Sequence, residues 1–475
     1  GYIFDDNFRK VEDFKIISEY NHLIDDNLVS DEKKLLKEFS EAVNEVNSAK
    51  VDRLLEDYKN ILLSQLIPNN IITYNGLLVL GYLLLNNSRI KNFYNEYYPI
   101  IIVDEFQDTN YLSYKIIDKL ITEDNKVYLM GDDIQQIYGF LGAIPNLFTK
   151  MQTDYNMTLL QFNTNYRYIG NHQMIELDNY IREIFQQYEN MENFDEDAVI
   201  NLGFYETVAE ETRNIYRNMI NKTEMGYNVA LLVNKSTSAE SIINYLEEEN
   251  TEYFNGLFKD TDLEYIRFHN IAHECFLNES GARNSIAWRV LNRVKTEVRE
   301  KKDLISDDDM IFNSLLRLLN ALFDNVKNST LSRSEKYNRI VYILANNSLK
   351  RLMNEINENI VVTTIHGSKG LEWDYIYIPE VTQGQFPVYY YDDSCLCKNC
   401  QDNEYRNIYH EYCEFTFPES LESKFKEQLS IFYVGITRAK RDVYLYANSE
   451  RNNGGYLKRR SCFTALPNLR INQEF

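Results

Sequence analysis

The stretch from residue 100 to residue 143 constrains the fold of this chain more than any other. It opens with an uninterrupted apolar run, Ile100 to Val103, and a second short run, Val127 to Met130, follows after a segment long enough for a helix. The first run suits a parallel strand that is buried on both faces. Because ligands bind outside the carboxyl ends of the strands in open α/β sheets, we expect a ligand site where these two strands end.

Acidic residues follow both of these apolar runs. Asp104 and Glu105 come directly after the first, and Gly131-Asp132-Asp133 comes after the second. One carboxylate can hold Mg²⁺, which prefers oxygen ligands and keeps several waters, and a neighbouring one can orient or deprotonate an attacking water. Acids at strand ends also occur as solvated turn residues. The complete strings DEFQD and GDxxQxIYxFxGA are therefore what predicts phosphate chemistry here.

Composition places the chain among globular proteins and limits its partners. Its 475 residues suffice for two or three domains, and 44% of them are apolar. No apolar run approaches the length of a membrane span, and the sequence shows no secretory signal, so we expect an intracellular, cytoplasmic protein. The net charge of −22 argues against a broad DNA-coating surface, although residues 436–460 are locally basic.

Five motifs together resemble those of the UvrD/Rep group of superfamily-one DNA helicases. IIVDEFQDTN and GDDIQQIYGFLGA resemble the second and third motifs, and NYR at 165–167 resembles the one that follows. VVTTIHGSKGLEW, from Val361, and YVGITRAK, from Tyr433, resemble the fifth and sixth. The resemblance implies an α/β fold with two RecA-like P-loop NTPase motor domains, each a parallel sheet flanked by helices, and mostly helical insertions.

The resemblance also implies roles for individual residues. ATP is expected in the cleft between the motor domains, with Asp104 holding Mg²⁺, Glu105 activating water and Gln135 sensing the γ-phosphate. Two arginines would stabilise charge on the transferred phosphoryl group, since a planar, permanently charged fork suits phosphate oxygens. These two arginines are Arg167 and Arg438. The other expected contacts are Gly370 and Glu372 for the nucleotide, Tyr138 and Phe140 for base stacking, and Thr364 and His366 for the DNA backbone.

The resemblance, together with the helical and strand-like periodicity of the segments, implies the domain organisation. We expect a helical insertion or remnant of the first motor domain at 1–67, the first motor domain at 68–162, and the second at 163–254 and 351–475. A helical insertion is expected at 255–350 and a zinc-binding insertion at 388–420.

Within these domains, several local elements are predicted. Ser30 and Asp31 are expected to cap a helix, Ile71 to Leu85 to form one apolar helix, and Thr158 to Phe162 to form a strand. His273, Cys275 and Trp288 are interpreted as ordinary packing residues.

A phosphate-binding loop, GxxxxGK[ST], is expected before the acidic strand in such an ATPase, but the sequence contains no Gly-Lys dipeptide. Either the chain is a fragment of a longer protein or the protein lacks the loop; the intact later motifs favour a fragment. The third motif also departs from the family pattern, with Leu141 in place of an arginine and Gln136 in place of a serine.

Four of the six cysteines lie within residues 395–413. Cys397-x2-Cys400 and His410-x2-Cys413 have the spacing of a small structural zinc site, and Cys395 could replace the histidine. An iron–sulfur cluster and free thiols are the alternatives.

The predicted function is an ATP-dependent DNA helicase or translocase that moves 3′ to 5′ on single-stranded or partly duplex DNA; the direction rests on the resemblance alone. One alternative is a catalytically incomplete motor that serves as a DNA-binding regulatory or scaffold subunit of a nuclease. Another is an ATPase that remodels protein–DNA complexes without unwinding. Intact DEFQD, Gln135, Arg167 and Arg438 favour an active motor.

Overall fold

The computed structural model describes residues 15–21, 24, 27–162, 164–187, 197–259, 262–281, 284–356, 358–388, 419–451, 458 and 460–473. The chain divides into two compact units, unit 1 at 1–161 and unit 2 at 162–475. Both contain parallel strands flanked by helices, which confirms the predicted α/β class. The finer domain boundaries stay a prediction.

The first half of unit 1 is mainly helical. Strand β1 (Lys15–Ile17) is followed by helices α1 (Ser30–Asn44) and α2 (Ser48–Ile61). Ser30 is the first residue of α1 rather than its cap. The N–H of Val29 instead donates to the Glu32 carboxylate, at 3.1 Å, so the predicted cap is wrong.

The apolar segment after α2 forms two elements rather than one helix. Ile71–Thr73 is strand β2, which pairs in parallel with β1, and helix α3 (Tyr74–Leu85) follows at once. The Thr73 hydroxyl accepts the Gly76 N–H at 2.9 Å and so caps α3. Apolarity alone does not distinguish a short buried strand from a helical turn, which explains the error.

The second half of unit 1 holds the acidic stretch. Helix α4 (Ser88–Tyr97) precedes strand β3 (Ile100–Val103), and helix α5 (Tyr111–Leu120) connects β3 to strand β4 (Lys126–Leu129). Strands β3 and β4 pair in parallel, as predicted, and helix α6 (Leu147–Tyr155) follows.

Burial of β3 differs from the prediction. The side chains of Ile100 and Ile102 are 54% and 61% exposed, whereas Val103 packs against a core built around Phe106 and Ile117. Within the described residues, β3 is therefore covered on one face only, and the expectation of burial on both faces is wrong. The continuous apolar run predicted the strand correctly, but it did not predict which faces of the strand are covered by other residues.

Unit 2 is built on a seven-stranded, all-parallel sheet. Its strands are β5 (Ala198–Tyr205), β6 (Val229–Val233), β7 (Phe254–Asn255), β8 (Ile360–Thr364), β9 (Trp373–Ile378), β10 (Ala439–Asn448) and β11 (Leu469–Asn472), in the order β11-β5-β10-β9-β6-β8-β7. Strands from the later motifs thus lie between β5 and β6, which are close in sequence.

Helices flank this sheet. They are α7 (His172–Gln187), α8 (Val208–Glu224), α9 (Glu240–Glu248) and, just before β10, α14 (Glu419–Ile436). Residues 158–162 have no regular structure, so the strand predicted there is wrong.

The region between β7 and β8 is helical, as predicted. It contains α10 (Leu263–Ser280), α11 (Trp288–Glu300), α12 (Asp309–Asn328) and α13 (Arg333–Ala345). Asp308 caps α12 through the N–H groups of Met310 and Ile311, at 2.8 and 3.0 Å.

Across the described residues, no helix combines the length and apolarity needed to cross a membrane.

A buried histidine joins two parts of this helical region. His269 is fully buried; its Nδ1 lies 2.8 Å from the Tyr265 carbonyl oxygen, and its Nε2 accepts the Leu349 N–H at 3.2 Å. Accepting at Nε2 requires the neutral ring with its proton on Nδ1. Burial lowers the pKa of His269 to about 4, against the opposing effect of the Tyr265 hydrogen bond.

We expect unit 2 to lose stability as the pH falls from about 6.5 towards 4, by up to about 3 kcal/mol from this group. The unfolded chain binds a proton at His269 in that window and the folded chain does not, whereas above it the neutral ring leaves the full contribution in place. Urea unfolding, followed by tryptophan fluorescence, measures the effect. His269→Gln should flatten the pH dependence and the exposed His172→Gln should not; equal slopes in all three proteins would contradict the expectation.

Candidate active site

The two acid-bearing strand ends lie at one edge of the sheet in unit 1. Val103 pairs with Leu129 at the last register position, and the Phe106 N–H donates to the Met130 carbonyl at 2.8 Å. Glu105 lies between them with a φ of 51°, in the left-handed region that costs a non-glycine residue on the order of 1 kcal/mol. The chain turns sharply here, and both Asp104 and Glu105 are exposed.

Gln107 ties the two strand ends together. Its side-chain Nε2 donates to Glu105 Oε2 at 2.6 Å, and its Oε1 accepts the Asp132 N–H at 3.1 Å. Gln107 is 1% exposed, so its side-chain amide depends on these two partners for its hydrogen bonds. The amide thereby orients the Glu105 carboxylate and fixes the turn after β4 at the same time.

Two further glutamines extend this network. Gln135 Nε2 donates to Asp132 Oδ2 at 2.8 Å. Gln136 Nε2 donates to the carbonyls of Gln107 and Ile144, at 2.7 and 3.0 Å. The departure from the family pattern at Gln136 therefore has a structural role, because it joins two loops of the site.

The aromatic pair predicted to stack on bases lies beside the carboxylates. The rings of Tyr138 and Phe140 meet edge to face, with centroids 6.1 Å apart, and Phe140 is 56% exposed. Burial, and then the nearby carboxylates of Asp108 and Glu105, raise the pKa of Tyr138 above its ordinary value.

In unit 2, both predicted arginines converge on Thr437. Arg167 Nη1 donates to the Thr437 carbonyl at 2.6 Å. Arg438, which is 3% exposed, donates from Nη2 to the Thr437 hydroxyl at 3.2 Å and from Nε to the Val434 carbonyl at 2.9 Å. The end of α14 therefore positions two guanidinium groups that lie 271 residues apart in sequence.

Glu372 lies between two cations in the same cluster. Its carboxylate is 3.2 Å from Arg167 Nε and 3.0 Å from Lys440 Nζ. The hydrogen bond from Lys440 is the largest influence that lowers the pKa of Glu372, with Arg167 and Arg438 acting in the same direction. The carboxylate therefore stays ionised and holds Arg167 in place.

The loop after β8 carries the predicted DNA-backbone contacts. Thr364 Oγ1 accepts the Gly367 N–H at 3.0 Å, and His366 begins the short turn His366–Ser368. The chain reverses at Gly370, whose φ of +81° favours glycine. Beside this loop is a cavity of about 320 Å³, lined on one side by Gly367, Lys369 and Gly370 and on the other by Lys350 and Arg351.

The structure thus brings the predicted residues together in two groups, one in each unit. Gln107 orders the group in unit 1, and Thr437 and Lys440 order the group in unit 2. The sequence analysis did not assign these roles. Gln107 and Lys440 do lie within the quoted strings DEFQD and TRAK, so the signal was present without its geometry. The predicted zinc ligands Cys395, Cys397, Cys400, His410 and Cys413 lie outside the described residues. Among the residues that are described, no group of three or more His, Cys, Asp or Glu side chains could hold a metal ion.

The chain is similar in sequence to known DNA helicases. The family model described as UvrD/REP helicase N-terminal domain matches residues 7–156. A probable DNA helicase II homolog of Mycoplasma genitalium is 25% identical over 82% of this chain and 60% of its own length. The ATP-dependent DNA helicase Rep of Buchnera aphidicola is 22% identical over 85% of the chain and 69% of its own length. The ATP-dependent DNA helicase srs2 of Schizosaccharomyces pombe is 22% identical over 87% of the chain and 53% of its own length.

The described part of the chain combines parallel α/β sheets with carboxylates at two strand ends in unit 1 and paired arginines in unit 2. The chain is similar to UvrD-type superfamily-one helicases, over residues 7–156 to their N-terminal domain and over more than four fifths of its length to proteins named DNA helicase II and Rep. It spans about 60% of the length of the Mycoplasma genitalium relative.

The packing around Gln107 generates a prediction at Gly131. A methyl group there would collide with Gln107 Oε1 and lie 3.1 Å from the Phe106 backbone nitrogen. Gly131→Ala should therefore lower the thermal unfolding midpoint of unit 1 by roughly 5 °C, as over-packing of a tight site does. Circular dichroism of the purified chain measures this. Gly139→Ala is the matched control, because a methyl group there meets nothing within 4 Å; equal midpoints for the two variants would contradict the role given to Gln107.

Proposed function

We propose that the protein is an ATP-dependent DNA helicase or translocase that couples ATP hydrolysis to 3′–5′ movement on single-stranded DNA. The observation that carries the proposal is the pair of pre-organised groups. In unit 1 Gln107 orients Glu105 between two strand ends, and in unit 2 Arg167 and Arg438 converge on Thr437. Similarity to relatives named DNA helicases supports DNA as the substrate, and the direction rests on the motif resemblance.

The carboxylates of unit 1 suit the metal and water roles. Mg²⁺ in nucleotide sites is held by one or two carboxylates together with substrate phosphates, and exposed Asp104 can supply one of these. The bound ion would neutralise charge on the phosphate oxygens. Glu105 accepts from Gln107 through Oε2, which leaves the carboxylate pointing in a fixed direction as a water-orienting base.

The arginines of unit 2 suit charge stabilisation. The pair of Arg167 with Glu372 is 33% and 43% exposed at the two side chains, so it is a weak ion pair. A phosphate can therefore replace Glu372 as the partner of Arg167 at low energetic cost. Arg438 is already immobilised by its hydrogen bonds, so little side-chain entropy remains to be lost when it acts.

Contacts with DNA are proposed in both units. In unit 1, Phe140 offers an exposed ring for stacking, and the ring of Tyr138 packs against its edge. In unit 2, Thr364 and His366 lie on the loop beside the cavity that Lys350, Arg351 and Lys369 line, and these cations suit backbone phosphates.

Glu105→Gln in the complete protein should lower DNA-stimulated phosphate release by about a hundredfold or more, because the amide cannot accept a proton from water. DNA binding should persist, since the shape of the side chain is kept. Glu123→Gln, at an exposed position in the turn before β4, is the matched control and should leave the rate unchanged. Undiminished phosphate release by Glu105→Gln would remove Glu105 as the base. A parent protein that binds DNA but never releases phosphate would favour the regulatory or scaffold subunit.

The cysteine-rich segment is proposed to hold a structural zinc ion, on the spacing of Cys397, Cys400, His410 and Cys413. Metal analysis of the purified protein should find about one zinc per chain, and Cys397→Ser with Cys400→Ser should remove it. Cys275→Ser is the control, because Cys275 is a buried free cysteine outside the segment. Iron in place of zinc would indicate a cluster, and the absence of both would leave free thiols.

A further inference from the structure

Helix α11 presents a row of polar and aromatic side chains, of which Trp288 and Arg299 are exposed and Asn292 and Lys295 are half-buried. These four residues follow at intervals of four, three and four, which places them on one helix face. The neighbouring face is buried through a set of apolar side chains, namely Val290, Leu291, Val294 and Val298. Trp288 is 44% exposed, so the interpretation of this residue as packing is wrong.

Two ammonium groups surround the exposed indole. Lys295 Nζ, on the same helix, is 4.7 Å from the ring centroid, and Lys327 Nζ, near the end of α12, is 4.4 Å from it. Both distances are those of cation–π contacts. The indole therefore gathers two positive charges that belong to different helices.

These cations lack ion pairs among the residues that the structure describes. The salt bridges there include Arg293 with Glu279 and Lys302 with Asp309, but none made by Lys295, Lys327 or Arg299. Burial lowers the pKa of Lys295, the carboxylate of Asp324 opposes this effect, and the nearby cations Arg299 and Lys327 add to it. The chain has 72 acidic and 50 basic residues, so carboxylates are abundant. Even so, these three cations form no salt bridge among the described residues.

We propose that this row, Trp288, Lys295, Arg299 and Lys327, is a second binding site for single-stranded DNA. Phosphates would bind the two ammonium groups and the guanidinium, and the exposed part of the indole would stack on an unpaired base. Exposed aromatic rings interleaved with cations are the means by which proteins bind single strands. The row spans about 16 Å of helix, which is enough for several phosphates.

Single-stranded DNA fits better than the other polyanions. An acidic peptide would satisfy the cations but would offer no flat surface to the indole. A duplex keeps its bases stacked inside the helix. Its phosphates could contact the cations, but no base would be available to stack on the indole. The site belongs to the helical region of unit 2 and does not include Tyr138, Phe140 or the loop after β8. The inference rests on the proposed function, since it assigns the same DNA a further contact.

The test is equilibrium binding of the purified chain to a single-stranded oligothymidylate across a series of NaCl concentrations. Lys295→Gln with Lys327→Gln should reduce the slope of log K against log salt by about 1.4, since each phosphate contact on a single strand contributes about 0.7. Trp288→Ala should weaken binding about 5-fold to 100-fold, as loss of one stacked base does, with Trp288→Phe in between. Binding by the parent chain should also quench the fluorescence of Trp288.

The matched control is Lys34→Gln with Lys302→Gln, which removes the same charge from lysines that already have the partners Glu38 and Asp309. Thermal unfolding of each variant checks that its fold is kept. A parent chain that binds no DNA would overturn both this site and the proposed function. A parent chain that binds, with slope and affinity unchanged in the lysine and tryptophan variants, would overturn this site alone. Equal losses for a blunt duplex or for polyglutamate would also overturn it, because they would indicate a general anion surface.

Discussion

The candidate site in unit 1 depends on the side-chain amide of Gln107. Two parallel strands bring their carboxyl ends to one edge, but the loops that follow could adopt many conformations. A single buried amide removes this freedom, because it donates to Glu105 and accepts from Asp132 in the same position. Leaving either end of a buried amide unpaired costs on the order of 1–3 kcal/mol, so the geometry of the acids and the stability of the turn are linked.

In unit 2, a backbone carbonyl helps to fix the orientation of the functional side chains. Arg167 reaches the Thr437 carbonyl, and Arg438 reaches the neighbouring hydroxyl, so the end of one helix orients two guanidinium groups. The two arginines differ in how tightly they are held. Arg438 is buried and fixed, whereas Arg167 shares a partly exposed carboxylate with Lys440 and can exchange it. Such a division suits a site in which one charge is permanent and the other responds to a ligand.

Sequence reasoning failed where burial or local hydrogen bonding decided the outcome. Ile71 to Leu85 reads as one apolar helix, yet its first three residues pair with β1, a strand some fifty residues earlier in the chain. The Ser30 cap was displaced by a bond between Val29 and Glu32 that the sequence also allows. Trp288 is a large apolar residue of the kind that often lies in a core, but as the first residue of α11 it is 44% exposed.

The sequence by itself determined the α/β fold class of the protein. The apolar runs, the acids that end them and the strings around Arg167, His366 and Arg438 are local features, and each requires a strand end or loop that a short segment can specify. Tertiary structure alone decided which partners complete these features. The pairing of Gln107 with Asp132, of Arg167 with Thr437 and of Trp288 with Lys327 joins segments that are distant in sequence, and such contacts exist only once the sheets and helices have packed.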